Sequence, residues 1–200
     1  MEILWIDACI RKSSRTRRLA ETLLKTLPGS VTRLCLADME LPLLDEAAIL
    51  QRAADGTAGD FSIPAYRFAR QFAEADCILI SAPYWDLSFP AVLKRYVEAV
   101  SVCGVTFRYS EEGIPIGLCR AKCLYYITTA GGPLTFPEFG YGYIRALSCG
   151  MFGIPECRCY YAENLDLWDA DVEAILLEAE AKMLEEETKL QRCLESVCFT

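Results

Sequence analysis

The sequence predicts an α/β fold in which helices cover both faces of a doubly wound, five-stranded parallel sheet, giving three layers, α/β/α. Short apolar runs alternate along the chain with segments whose leucines recur at helical spacing. The 200 residues, 53% of them hydrophobic, suit one domain with a sizeable core. We therefore expect a single domain over residues 1–200, with an inserted arm at about residues 104–116.

Five apolar runs of strand length supply the predicted sheet. The third run, which begins at Cys77, is apolar except for Ser81 and is expected to lie at the centre. A helical segment separates each strand from the next, and this alternation indicates parallel pairing. The expected strands are residues 3–7, 31–36, 77–82, 121–129 and 156–162.

The helices between these strands are marked by apolar spacing and by helix-breaking residues. The first contains leucines at helical spacing and ends at Pro28-Gly29. Pro90 fits an early helical position, and Asp169 is the expected N-cap of the last helix. A surface turn is expected at residues 55–60. The expected helices are residues 14–27, 46–54, 63–75, 89–101, 138–152 and 169 to about 196.

Charge and composition exclude several functions. A formal charge of −8 and a pI near 4.7 argue against nucleic acid or an anionic membrane as the main partner. The chain has no histidine, which removes the usual Ser-His-Asp and Cys-His catalysis and makes a metal site improbable. Eleven cysteines form no C-x-x-C pair, and neither a signal-peptide pattern nor a membrane-length apolar run is present. We expect reduced thiols and a cytoplasmic location.

Three loops follow strands one, three and four, and should meet at one edge of the sheet, where such folds bind ligands. The first, residues 7–16, leads into a helix N-terminus and contains five basic residues within or beside it, a pattern that favours an anionic group. It lacks G-x-G-x-x-G and a Walker A lysine, which disfavours a dinucleotide or nucleoside-triphosphate fold. The alternatives are plain helix capping by Ser13 or Ser14 and a solvated charged face. The five basic residues are Arg11, Lys12, Arg15, Arg17 and Arg18.

The other two loops suit a flat ligand. Tyr84 and Trp85 stand at the carboxyl end of the third strand, where aromatic rings could bind a planar ring such as a flavin. The alternative is that they merely cover the end of the sheet. Gly131-Gly132 after the fourth strand would let the backbone approach a ligand closely, although a tight turn explains the pair equally well.

At these residues the chain resembles the flavodoxin-like NAD(P)H:quinone oxidoreductases and FMN-dependent NADH-azoreductases, over nearly its whole length. Ser14-Arg15-Thr16 corresponds to the S-x-S/T that binds the FMN phosphate in that family. Pro83–Leu87 corresponds to a P-x-Y-N-F segment at the flavin edge. Residues 104–109 correspond to a G-V-T-F-x-Y arm, and residues 128–132 to a T-S-x-G-G loop at the pyrimidine end.

Four positions depart from the family pattern. Ala8 replaces a serine, Leu87 replaces an aromatic residue, and Ala130 replaces a polar or cationic residue seen in some members. Asp86 stands where asparagine is common, and a carboxylate near the flavin would disfavour an anionic reduced ring and so lower its potential.

The resemblance implies a flavodoxin-like fold and an FMN-dependent NAD(P)H oxidoreductase. It would reduce quinones, azo compounds or nitroaromatics by two-electron, ping-pong hydride transfer, with FMN as cofactor and NADH or NADPH as co-substrate. Tyr109 is a possible proton donor. The implied cofactor-binding residues are Cys9, Arg11, Ser14, Arg15, Thr16, Pro83, Tyr84, Trp85, Asp86, Leu87, Thr128, Thr129, Ala130, Gly131 and Gly132.

The resemblance also implies a homodimer with sites at the interface. The arm and the region of Phe136, Phe139 and Tyr143 would help to cover the partner's flavin, unless these aromatic residues belong to the monomer's own core. Three other functions stay open. They are a flavodoxin-type electron carrier, a flavin-binding redox module in which Cys9 reacts as a thiol with a lowered pKa, and a domain that binds no flavin.

Overall fold

The computed structural model describes residues 1–197, and its main sheet contains five parallel strands. From one edge to the other they are β2 (Ser30–Cys35), β1 (Glu2–Asp7), β3 (Cys77–Ser81), β6 (Cys123–Thr129) and β7 (Glu156–Ala162). This is the strand order of a flavodoxin-like doubly wound sheet, so the predicted fold class is confirmed. Each strand lies within two residues of its expected limits.

The described residues form six α-helices. They are α1 (Arg15–Leu24), α2 (Glu46–Ala58), α3 (Arg67–Glu74), α4 (Ala91–Val100), α5 (Tyr141–Leu147) and α6 (Val172–Val197). Leu19 of α1 and Met183 of α6 are buried against one face of the main sheet. Phe72 of α3, Leu93 of α4 and Ile144 of α5 are buried against the other. All five residues of β3 are buried because helices cover both of its sides.

Several helix limits differ from the prediction. The turn expected at residues 55–60 is wrong, because α2 continues through Gly56 to Ala58 and ends where Gly59 adopts a φ of 68°. Asp169 does not cap α6. Asp171 does so, since its Oδ1 accepts from the N–H of Ala174 at 3.1 Å.

Four more helices are shorter than expected. The helix α3 begins at Arg67, after a 3₁₀ turn at Pro64–Tyr66, and α4 spans Ala91–Val100 rather than residues 89–101. The helix α1 ends at Leu24 rather than at residue 27. The helix expected over residues 138–152 is divided into a 3₁₀ turn at Pro137–Phe139, then α5, then a π-helical turn at Ser148–Phe152. Three glycines in this stretch weaken a continuous helix.

The segment predicted as an arm forms a small hairpin outside the main sheet. Its strands are β4 (Phe107–Tyr109) and β5 (Pro115–Gly117), which pair antiparallel. Within residues 1–197, no helix combines the length and the apolar content that crossing a membrane requires. One domain over the whole chain stays a prediction, and residues 198–200 lie outside the described residues.

Candidate functional site

A pocket of about 130 Å³ lies at the carboxyl ends of β1, β3 and β6, where the three predicted loops converge. A fourth segment, between β7 and α6, also borders it. We name the segments loop 1 (residues 8–14), loop 2 (83–88), loop 3 (130–133) and loop 4 (163–169). The pocket is lined by Ile10, Arg11, Ser13, Ser14, Arg15, Thr16, Pro83, Tyr84, Trp85, Thr129, Ala130, Gly131, Leu165 and Asp166.

Loop 1 leads into α1 with a run of unused backbone donors. The seven N–H groups of residues 10–16 donate to no acceptor within the described residues. Ser14 is the N-cap, and its hydroxyl accepts from the N–H of Arg17 at 3.3 Å. The capping interpretation is therefore correct for Ser14. It leaves the preceding amides free, and such a run at a helix N-terminus favours an anion.

Asp7 anchors the base of loop 1. Its carboxylate is fully buried at the end of β1 and forms ion pairs with Arg17 and Arg33. It also accepts from the N–H of Cys9 and the hydroxyl of Ser81. Burial by itself raises the pKa of Asp7, but the hydrogen bonds from Arg17, Cys9 and Arg33 outweigh burial and hold that pKa below its usual value.

Two threonines join α1 to the end of β6. The hydroxyls of Thr16 and Thr129 lie 2.6 Å apart, and both residues are buried. The neighbouring Thr128 faces the opposite side of the sheet, where its buried hydroxyl has no partner among the described residues. Thr129 therefore lines the pocket and Thr128 does not.

Loop 2 forms a two-residue turn. The N–H of Trp85 donates to the carbonyl of Ser88, and the N–H of Ser88 donates back at 2.7 Å. Asp86 and Leu87 between them have φ values of 50° and 63°. The Trp85 amide is thus used inside the protein, so only the amides of Asp86 and Leu87 remain to bind the edge of a ligand. The indole of Trp85 is 39% exposed and lines the pocket.

Loop 4 is the part of the site that the sequence did not reveal. Its N–H groups at Asn164, Leu165 and Asp166 donate to the loop 3 carbonyls of residues 132, 130 and 131, respectively. The carboxylate of Asp166 then reaches into the pocket and pairs with Arg15 at 2.7 Å. The acidic run after the fifth strand was the one signal for this loop, because residues at the carboxyl ends of parallel strands share an edge.

The structure brings together ten of the fifteen expected binding residues. The five that do not line the pocket are Cys9, Asp86, Leu87, Thr128 and Gly132. Tyr109, the expected proton donor, lies on the β4–β5 hairpin, where its ring packs edge-on against Phe107 and stays 53% exposed.

The expectation that Cys9 has a lowered pKa is wrong. Its thiol is 1% exposed and lies 3.6 Å from the carbonyl of Ser81. Burial, followed by the nearby charge of Asp7, raises the pKa of Cys9 to about 12. A reactive thiolate at this position is therefore disfavoured.

The basic patch is smaller than its sequence indicated. Arg15 is paired with Asp166, Arg17 with Asp7, and Arg18 with two glutamates of α6. Arg11 and Lys12 form no ion pair with a described residue, and Arg11 lines the pocket.

The donor set fits the phosphate end of FMN. Free amides, the Thr16 hydroxyl and Arg11 supply donors and positive charge to one small pocket. A volume of about 130 Å³ is below the few hundred cubic ångströms of a pocket that encloses a whole ligand. The pocket is therefore too small to enclose a flavin ring as well as the phosphate. A larger groove of about 380 Å³ lies between β7 and α6, and no residue of loop 1 or α1 lines it.

Comparison with known proteins identifies similar sequences. The model of a family described as having a flavodoxin-like fold matches residues 1–186. An "FMN-dependent NADH:quinone oxidoreductase 2" of Clostridium acetobutylicum is 41% identical over 139 residues, 67% of this chain and 68% of the relative. An "FMN-dependent NADH:quinone oxidoreductase" of Clostridium beijerinckii is 42% identical over 120 residues, which span 58% of this chain and 59% of that relative's length.

A solved structure extends the similarity over the fold. It is an FMN-dependent NADH-azoreductase from Bacillus anthracis in complex with FMN, with a TM-score of 0.76 and 21% identity. The match covers 94% of this chain and 98% of the other. At this identity the likeness shows the fold alone.

Proposed function

The chain belongs to the family with the flavodoxin-like fold, and from this premise we propose that it is an FMN-dependent NAD(P)H oxidoreductase of quinones and azo compounds. The observation that carries the proposal is the run of seven free N–H groups at the start of α1, beside Thr16 and Arg11. It supports a phosphate site where the family's cofactor phosphate is expected. The printed names of the two clostridial relatives support the same activity.

Different loops would hold the two ends of FMN. The amides of residues 10–16, with the Thr16 hydroxyl, would bind the phosphate. Tyr84 and Trp85 would pack against the flavin ring, and the free amides of Asp86 and Leu87 would donate to its edge. Bound FMN would supply two-electron hydride transfer between the nicotinamide and the acceptor, which explains how a chain without histidine could be a reductase.

We propose ping-pong turnover, in which the nicotinamide and the acceptor occupy one site in turn. The open face beside Trp85 supports this order, because it offers one exposed surface for both flat molecules. Nitroaromatic compounds are flat in the same way and are included as acceptors. Either NADH or NADPH would serve as the donor.

A homodimer would complete the site. Phe136 and Phe139 lie beside loop 2 and are 45% and 56% exposed. The hydroxyl of Ser88, in loop 2, donates a hydrogen bond to the carbonyl of Phe139 at 2.8 Å. A second copy covering these rings would remove apolar surface from water. Tyr109, exposed on the hairpin, would then act as a proton donor at the partner's site.

We also propose a cytoplasmic enzyme without nucleic-acid or membrane partners, in keeping with its negative charge and its many thiols.

An absorption spectrum and a turnover assay test this function. We expect the purified protein to be yellow, or to become so with added FMN, and to oxidise NADH or NADPH when a quinone is supplied. A protein that takes up no FMN would contradict the proposal. FMN uptake without nicotinamide oxidation would instead favour the electron carrier.

A further inference from the structure

Arg17 holds loop 1 from inside. Its guanidinium donates to the carbonyls of Cys9, Arg11 and Lys12 at 2.7–2.8 Å. Its Nε donates to the buried carboxylate of Asp7 at 2.8 Å. One side chain therefore binds three carbonyls of a four-residue stretch and joins them to the end of β1.

These bonds determine where the loop's amides point. The peptide bonds are trans, so the N–H of each following residue points opposite to the carbonyl that Arg17 holds. The three amides so directed are those of Ile10, Lys12 and Ser13, and all three donate to no described residue. They are thus turned away from the guanidinium and left open for an external acceptor.

Among the described residues, no other side chain donates to a loop 1 carbonyl. Residues 7–28 contain no glycine, whereas phosphate-binding loops generally rely on glycines for tight backbone turns. The side chain of Arg17 is only 12% exposed, is neutralised by Asp7 and does not line the pocket. Its positive charge is therefore balanced by Asp7 inside the protein and does not face a ligand in the pocket.

We infer that Arg17 is a positioning residue that holds the loop 1 amides in place for the phosphate of FMN. The inference rests on the proposed function for the identity of the ligand. The ordering of the loop itself can be measured without any flavin.

Arg17→Lys tests geometry against charge, because lysine keeps the positive charge but cannot reach three carbonyls and a carboxylate at once. We expect FMN to bind about ten- to a hundredfold more weakly, the scale of losing hydrogen bonds to a charged group. Riboflavin, which has no phosphate, should lose less than about twofold in the same titration, a change well under 1 kcal/mol.

Arg33→Gln is the matched control. Arg33 also pairs with Asp7, but it contacts no loop 1 carbonyl and instead stacks on Trp5. We expect this variant to lose stability while keeping the preference for FMN over riboflavin. If Arg17→Lys does not fold, the double variant Asp7→Asn, Arg17→Met removes the pair together, leaves no buried unpaired charge, and should show the same selective loss.

Backbone ¹⁵N relaxation without ligand gives a second readout. Order parameters of residues 10–13 should be near 0.85 in the unaltered protein and in Arg33→Gln, and below about 0.6 in Arg17→Lys. Unchanged order parameters, unchanged FMN affinity or equal losses for both flavins would overturn the inference. If the unaltered protein binds neither flavin, the proposed function fails, and the relaxation data alone decide whether Arg17 orders the loop.

Discussion

Arg15 and Asp166 form an ion pair, with 2.7 Å between Nη1 and Oδ1, inside the pocket where a phosphate is proposed to bind. Their side chains are 37% and 66% exposed, so the pair contributes at most about 1 kcal/mol to stability. Asp166 nevertheless neutralises a cation that could otherwise face an anionic ligand, and it places a negative charge beside that ligand.

Asp166→Asn should therefore strengthen FMN binding by about two- to fivefold, the equivalent of an exposed ion pair. Riboflavin affinity should not change. Fluorescence titrations at low and high salt would check this, and the gain should shrink as salt screens the charge. Asp169→Asn, an exposed change in the same loop outside the pocket, is the control. Weaker FMN binding would instead mean that Asp166 accepts a hydrogen bond from the ligand.

Asp7 should make stability depend on acid pH. Burial raises its pKa, but its hydrogen bonds, chiefly from Arg17, outweigh burial, so the folded pKa lies below the reference value of 3.8. A lowered folded pKa contributes stability that is present above the unfolded value and is lost as the pH falls through the folded one. Asp7→Asn should cost about 3 kcal/mol at pH 7 and progressively less below about pH 4.

Urea unfolding at pH 7, 5 and 3 would measure this difference. Asp76→Asn is a suitable control, because Asp76 forms a half-exposed pair with Arg120 and should cost less than about 1 kcal/mol. A penalty for Asp7→Asn that is the same at every pH would show that its charge is not what stabilises the fold.

Cys9 should resist thiol reagents while the protein is folded. Burial raises its pKa to about 12, so at pH 8 its thiolate is scarce, and the sulfur is also inaccessible. Cys103 is exposed and serves as the internal control. Timed alkylation followed by peptide mass spectrometry should show Cys103 modified first, with Cys9 modified only in urea. Equal rates for the two would revive the redox-module alternative.

The turn in loop 2 should carry removable strain. Leu87 has a φ of 63°, a left-handed conformation that costs a non-glycine residue about 1–2 kcal/mol. Leu87→Gly should therefore raise the free energy of unfolding by about 1 kcal/mol. Leu43→Gly, also an exposed leucine but without a positive φ, should lower it. Thermal unfolding of the two variants would check the opposite signs, and a loss in both would show that the Leu87 side chain stabilises the turn.

The sheet was predictable because its strands are apolar runs that helices cover on both sides. Helix ends were less so. Gly56 suggested a turn, but one glycine costs a helix only about 1 kcal/mol, and Asp55 is held by Gln51 and Tyr66. The last helix was expected to have Asp169 as its N-cap, but Asp171, two residues later, caps it.

The site was predictable where backbone and ring chemistry define it, as at Thr16 and Trp85. Asp166 was missed because an acidic residue is not expected in an anion site, and the acidic run after the fifth strand was the one signal for it. In the sequence, Arg17 is one of five neighbouring basic residues. Its role in holding loop 1 could not be predicted, because the carbonyls that it binds are brought to it only by the path of the folded loop.

The contacts between the Arg17 guanidinium and the backbone of loop 1 have a consequence for protein engineering. The side chains at positions 10–12 take no part in the bonds that shape loop 1, because Arg17 contacts main-chain oxygens alone there. A library that randomises these three positions, proline excepted, should retain the architecture of the loop, and selection from it could retune ligand discrimination without rebuilding the scaffold.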